Sequence, residues 1–509
     1  MFDLNEPVFH IGEKRVPWTI GNSVEGLQIF GGIGSGKTSG SGRFFALKYL
    51  SKGYGGLVLT VKPDEKDEWV KYCQAVNREK DLIIVEPKGK QSFNFMEYES
   101  TQEGDKNYTD NILQVLKTVI RASEEKSNGK NDDPFWENAS DMLISNTIDL
   151  CLLAYGKVSI ETLYKIARSV MKSEFVKAKK KKKKKETSEA KSNSGINAFD
   201  MAMVYAAETV HEKTAHWSNS ADLEEIFKLS EDEYRDYITQ HVPEARTFDA
   251  IKEFFLESYA DLNERTRSII DFSFTGFLFR FLKEPVYSLF CNKPSTFKPE
   301  DCLSGKIIIL NLPVKLYHKV GRDAQIMFKY IWQRTMEKRN TAVNKRPVFL
   351  WADEAQNFLH EHDAEFQATA RSSRIATVYL TQNIPNYYAN MGGTKGEYKV
   401  KSFLGTLATK MFHANADIET NKYASDLIGE AYEEDISKST NQHEGNISTT
   451  NTLSHKLVKI IRPEVFHTLK TGGEKNKFKI MGIIQAQGLK LRYEFSYDML
   501  IFDQQKEYR

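Results

Sequence analysis

Short, continuous apolar runs alternate with helical patterns along the first hundred residues. Residues 27–30, 56–61 and 81–87 are apolar stretches of strand length, and residues 43–50 and 64–76 between them carry helical spacing. Strands that are apolar on both faces predict a parallel sheet covered by helices on each side. From residue 107 the pattern changes. Helical periodicity runs through 108–122, 135–155, 159–176, 245–262 and 264–281, with no strand-like run before Lys306. Strand signals return at 305–313, 347–351 and 375–380, with a closing pair at 478–485 and 489–497. The polar stretch 437–454 reads as a flexible loop. The pattern predicts an α/β domain whose two parts, residues 1–106 and 301–509, flank an all-helical insertion at 107–300.

Composition narrows the options. At 509 residues the chain exceeds one ordinary domain, and 40% hydrophobic residues suffice for a sizeable core. A net charge of +2 leaves no overall basic footprint, so nucleic-acid contact has to come from a local patch or from a pore shared by several copies. Cys73, Cys151, Cys291 and Cys302 lack metal-ligand spacing and read as buried thiols of a reducing compartment. No stretch approaches the roughly 18 apolar residues of a membrane span, and the first residues lack signal-peptide character. A cytoplasmic protein with no membrane span of its own is expected. Seven consecutive lysines, from Lys179 to Lys185, lie in a segment, 177–195, that reads as a solvated, disordered linker. Contact with DNA phosphates or acidic lipid headgroups is the alternative.

The first concentrated chemistry follows residues 27–30. Gly31, Gly32, Ile33, Gly34, Ser35, Gly36, Lys37 and Thr38 fit G-x-x-x-x-G-K-[ST] between an apolar strand and a helix, the context that makes this pattern a phosphate-binding loop. Glycines let backbone N–H groups turn toward phosphate oxygens, and the helix N-terminus adds the positive end of its dipole. Lys37 is placed to reach the β- and γ-phosphates, and Thr38 to put its hydroxyl on Mg²⁺. The expected ligand is a nucleoside triphosphate, read as ATP with Mg²⁺.

A second half-site lies three hundred residues on. The apolar run from Val348 ends in Asp353 and Glu354, the form of a Walker B element. Asp353 would hold Mg²⁺, and Glu354 would act as general base toward the attacking water. A buried strand running into an acidic turn is common; beside a phosphate loop it completes a hydrolytic site. Gln382 closes the next strand, where a polar amide can sense the γ-phosphate. Arg371 and Arg374 precede that strand and suit an arginine finger offered to a neighbouring subunit; the bland alternative is a pair of exposed helix-end arginines. The pattern from His360 to Asp363 is not a zinc motif.

This order of elements resembles the TraG/TraD-like conjugative coupling proteins, the DNA-transfer ATPases of type IV secretion systems within the HerA/FtsK group. The resemblance runs from about Val24 to Met499. It rests on the phosphate loop, on Asp353-Glu354, and on the stretch from Arg371 to Asn383. Its more specific part is the segment from Thr409 to Gly429, which lies where that family's TraM recognition region is placed. It implies a P-loop RecA-like parallel sheet with an all-helical domain inserted between its halves. It further implies a homo-hexameric ring that moves single- or double-stranded DNA through a central channel, with relaxosome or secretion-channel proteins as partners. Arg371 becomes the better finger candidate and Gln382 the nucleotide sensor. Two features depart from the family. Its members usually carry N-terminal membrane helices, and the acid common at the end of the second strand is replaced around Lys62, with Asp64 nearby. Docking at the inner membrane would then run through partner proteins. The alternative is a soluble HerA/FtsK-like motor acting in DNA processing or phage defence with a separate nuclease.

Overall fold

The computed structural model describes residues 2–100, 108–124, 134–173, 175–176, 196–218, 230–391, 396–443 and 446–506. The lysine run and the rest of 177–195 lie outside these residues. Thirteen strands are present among them: β1 (Pro7–Ile11), β2 (Val16–Thr19), β3 (Leu27–Phe30), β4 (Gly55–Leu59), β5 (Leu82–Val85), β6 (Ile307–Leu310), β7 (Val348–Ala352), β8 (Ile375–Thr381), β9 (Thr409–Phe412), β10 (Glu430–His443), β11 (Asn446–Lys459), β12 (Lys479–Ala486) and β13 (Tyr497–Asp503). Nine form one sheet in the order β13-β12-β9-β3-β8-β7-β4-β6-β5. From β9 to β6 every neighbouring pair is parallel, and β12 and β13 add an antiparallel edge. Every residue of β3, β4, β6, β7, β8 and β9 is buried, which is why most of these strands read as unbroken apolar runs. The fold is the expected α/β P-loop, RecA-like sheet.

Two compact units emerge. The first comprises residues 1–84, 299–316 and 332–509; the second comprises 85–298 and 317–331. The second unit is helical: between β5 and β6 no strand occurs among the described residues, and the longest helices are Pro134–Tyr155, Ala198–Ser218 and Glu264–Phe281. Among the described residues, no single helix is long and apolar enough to cross a membrane.

One face of the sheet anchors the phosphate loop. After Lys37 the chain makes a π-helical turn, Thr38–Gly42, and continues as the α-helix Arg43–Ser51. Phe45 and Tyr49 of that helix are fully buried in an aromatic cluster. Tyr49 stacks on Tyr54 at 4.9 Å, Phe45 meets Trp18 at 5.4 Å, and Trp69 stacks on Phe349 of β7 at 5.4 Å. Each buried ring contributes about 2 kcal/mol through burial alone, so the helix cannot shift without disturbing the cluster.

Two expectations fail. Residues 437–454 are not a loop but most of an antiparallel hairpin, β10 on β11, in unbroken register from Glu430↔Lys459 to His443↔Asn446. Its cross-strand pairs Tyr432↔Leu457 and Ile436↔Leu453 stay exposed, so burial imposes no apolar alternation to read. The last strand is not 489–497 but begins at Tyr497. Gly488 has φ +77°, and the chain turns where Leu491 N donates to Phe495 O at 2.9 Å, so pairing with β12 resumes only at Tyr497↔Gln485.

Candidate active site

Because β3, β8 and β7 are adjacent and parallel, their C-terminal ends fall side by side. Ligands of open α/β sheets bind at this edge. The phosphate loop leaves β3, Gln382 follows β8, and Asp353 and Glu354 follow β7.

The loop is stitched down at its start. Gly31 N donates to Thr381 O at 3.2 Å and Gly32 N to Ala414 O at 2.9 Å, while Ile33 stands exposed at the tip. Gly34 and Gly36 take φ +70° and +82°. At Gly36 a side chain is doubly excluded, since a Cβ would lie 2.5 Å from Ile480 Cδ1. Ser35 Oγ receives the Lys37 N–H at 3.4 Å. Residues 32 and 34–39, with Lys62, Asp64, Glu65, Glu68 and Asp353, enclose a cavity of about 250 Å³.

Lys37 Nζ lies 3.5 Å from Glu354 Oε1, and both side chains are buried. Glu354 also accepts from Gln382 Nε2 at 3.2 Å and from Gln356 Nε2 at 2.9 Å. Burial opposes its charge, but Lys37 and the two amides outweigh it and hold the carboxyl below its ordinary range. Glu354 therefore stays ionised, as a proton acceptor must. Its backbone is left-handed, φ +47° and ψ +51°, a conformation that costs a non-glycine residue about 1 kcal/mol and aims the carboxylate at the loop.

Thr38 Oγ1 donates to Asp353 Oδ2 at 2.9 Å. A hydroxyl and a carboxylate in contact are hard oxygen ligands of the kind Mg²⁺ takes, and with a bound nucleotide it needs few from the protein. Among the described residues no group of three or more His, Cys, Asp or Glu side chains forms a metal site of its own. Lys62 Nζ lies 3.8 Å from Asp353 Oδ2 and 4.0 Å from Glu65 Oε1. Burial disfavours its charge, but the surrounding carboxylates, Asp353 first, raise its pKa overall.

Two residues here carried no role in the sequence reading. Glu65 is buried, and burial together with the Asp353 charge pushes its carboxyl up to about 8. His413 is buried behind the loop. Its Nδ1 lies 3.0 Å from Met481 O and its Nε2 2.7 Å from Ser41 Oγ. A carbonyl only accepts, so Nδ1 carries the proton and Nε2 accepts from the serine hydroxyl. Burial lowers the His413 pKa to about 4, with Lys37 opposing the charge as well, so the ring is neutral and braces the π-turn. No motif spacing links His413 to Ser41; only the placement of β9 beside β3 does.

The arginines part company. Arg371 is exposed, with Nε 3.3 Å from Glu25 Oε1. Arg374 is half-buried, adopts φ +53°, and donates to the backbone carbonyls of Phe2 and Lys345. Both lie at the N-terminal end of β8, away from Gln382. The strand is seven residues long, so at about 3.3 Å per residue its ends are roughly 20 Å apart.

Residues 347–471 match the family described as the TraM recognition site of TraD and TraG. That segment contains Asp353, Glu354, Arg371, Gln382, His413 and the β10–β11 hairpin. No curated protein matches the chain. Among solved structures, the bacterial conjugative coupling protein TrwBdeltaN70, in an unbound monoclinic form, aligns at a TM-score of 0.61 and 13% identity, covering 99% of this chain and 90% of that one. The plasmid coupling protein TrwB in complex with the ATP analogue ADPNP aligns at 0.56 and 12%, covering 99% and 92%. The same protein with ADP and Mg²⁺ aligns at 0.56 and 11%, covering 99% and 90%. Over residues 347–471 the chain is thus similar in sequence to the TraD and TraG family, and along nearly its whole length it is similar in fold to the coupling protein TrwB.

Proposed function

We propose that the chain is an ATP-hydrolysing DNA translocase of the conjugative coupling type, working as a homo-hexameric ring. The observation that carries this reading is the meeting of Lys37, Thr38, Asp353, Glu354 and Gln382 at one sheet edge, with Arg371 exposed at the other. A P-loop site holds an arginine near the γ-phosphate at the moment of transfer. Arg371 cannot reach its own subunit's loop across the length of β8, so it serves the loop of a neighbour.

Each residue has a task in this reading. The loop N–H groups and Lys37 bind and orient the phosphates. Thr38 and Asp353 hold Mg²⁺, which when bound neutralises charge on the β- and γ-phosphate oxygens. Glu354, ionised, accepts a proton at Oε1 from the attacking water, and Gln382 orients that carboxylate. Arg371 of the adjacent subunit faces the charge that develops on transfer. Release of that contact after hydrolysis loosens one interface of the ring, the step that would move DNA. TrwB is a coupling protein crystallised with ADPNP and with ADP and Mg²⁺, and a similar fold on this chain supports the same ligands here. Relaxosome or secretion-channel proteins are the partners this role calls for, at the cytoplasmic side of the inner membrane.

The test is ATPase activity with single-stranded and duplex DNA across a salt series, with the oligomer mass measured alongside. A track held through its phosphates gives stimulation that falls steeply with salt, because counterion release drives such binding. DNA that neither binds nor stimulates at low salt defeats the proposal.

A further inference from the structure

Beside the Thr38–Asp353 contact lies a carboxylate with no part in the chemistry described above. Glu65 opens the helix Glu65–Ala75, directly after the turn that leaves β4. Its side chain is 9% exposed. One oxygen, Oε2, accepts the Val61 N–H at 2.7 Å, which fixes the carboxylate in place. The other, Oε1, is buried and makes no hydrogen bond. Lys62 Nζ, at 4.0 Å, is too far from it for one.

A buried, ionisable oxygen left without a hydrogen bond is costly unless a ligand or water completes it. The surroundings say which. Glu65 lines the 250 Å³ cavity together with Thr38, Lys62 and Asp353. It also lines a second cavity of about 20 Å³, again shared with Thr38 and Asp353. That volume is the size of one water. The Lys62 ammonium stands between the Glu65 and Asp353 carboxylates, so two acids face a single positive charge. Burial and the Asp353 charge favour a protonated Glu65. A dication beside the two acids and the threonine hydroxyl would favour its carboxylate form while keeping part of its own water shell.

We propose that Glu65 is a positioning residue of the divalent-cation site, its Oε1 accepting a hydrogen bond from a water on the ion that Thr38 and Asp353 bind. The inference rests on the nucleotide-site reading above. It extends that reading by giving a role to the acid at the start of the helix after β4. Carboxylates of this kind tune affinity for the ion.

The test uses the full chain and measures ADP affinity by calorimetry in EDTA, then Mn²⁺ affinity of the ADP complex by electron paramagnetic resonance. In Glu65→Gln, ADP binding in EDTA does not weaken while Mn²⁺ binds to the ADP complex about tenfold more weakly. Mn²⁺ affinity within about twofold of wild type overturns the proposal, as does an equal loss of ADP binding in EDTA from a folded variant, the mark of a purely structural role. If Glu65→Gln does not fold, Glu65→Asp carries the same comparison, because it keeps the charge but withdraws the oxygen by one carbon. Failure of the underlying nucleotide site reads differently: the wild-type chain itself then shows no ADP binding.

Discussion

Arg371 and Gln382 bracket strand β8, one exposed at its N-terminal end and the other hydrogen-bonded to Glu354 beside the phosphate loop. The strand between them sets the two halves of the proposed chemistry on opposite edges of one sheet. In the proposed mechanism, a subunit built this way finishes its nucleotide site by borrowing an arginine.

Arg371→Ala should therefore lower turnover by about a thousandfold or more, with ATP affinity close to wild type. Arg374→Ala should act on stability instead, because its guanidinium satisfies the Phe2 and Lys345 carbonyls. A loss of about 1–3 kcal/mol in unfolding free energy is expected. Turnover and urea midpoints of the two variants, compared side by side, check the division. The reverse assignment would exchange the two effects.

Glu354→Gln should bind ATP and hydrolyse it at least a hundredfold more slowly, since the amide cannot take the proton. Lys37→Ala should lose nucleotide binding as well. The two are separated by a fluorescent-nucleotide titration followed by a single-turnover assay.

His413 makes the P-loop unit acid-sensitive. Its folded pKa is about 4 against an ordinary 6.5, so the unfolded chain binds more protons between these values. Stability is then full above pH 6.5 and falls as the pH drops toward 4, by about 2 kcal/mol between pH 7 and pH 5. Urea unfolding at the two pH values checks this. The part of the slope due to this ring should vanish in His413→Gln.

At Gly36 a methyl group meets both positive φ and Ile480, whereas at Gly34 it meets positive φ and open space. Gly36→Ala should destabilise the chain and weaken ADP binding more than Gly34→Ala. The strain common to both is about 1 kcal/mol. Melting temperature and calorimetric affinity of the pair give the comparison.

How much of this was legible depended on burial. Strands β3, β4, β6, β7 and β8 announced themselves because both faces are covered, leaving mostly apolar runs. Strand β9 is just as buried but begins with Thr409 and Lys410, which broke the run. Lys410 is tolerated because its ammonium donates to the Leu407 carbonyl, and burial lowers its pKa to about 8. The hairpin β10–β11 escaped for the opposite reason, since exposure leaves no pattern. The candidate site residues at strand ends, Asp353, Glu354 and Gln382, could be placed from the strands that carry them. Glu65 and His413 did not, because their partners, Asp353 and Ser41, come near only when the sheet forms.

The central claim, a hydrolytic site completed by a neighbour's arginine, is tested most directly by mixing two inactive variants. Arg371→Ala supplies an intact Glu354, and Glu354→Gln supplies an intact Arg371. Combined one to one in exchanging rings, about a quarter of the interfaces regain both groups, so ATPase activity should reappear well above that of either variant alone. Activity that stays at the level of the separate variants at every mixing ratio would contradict the account.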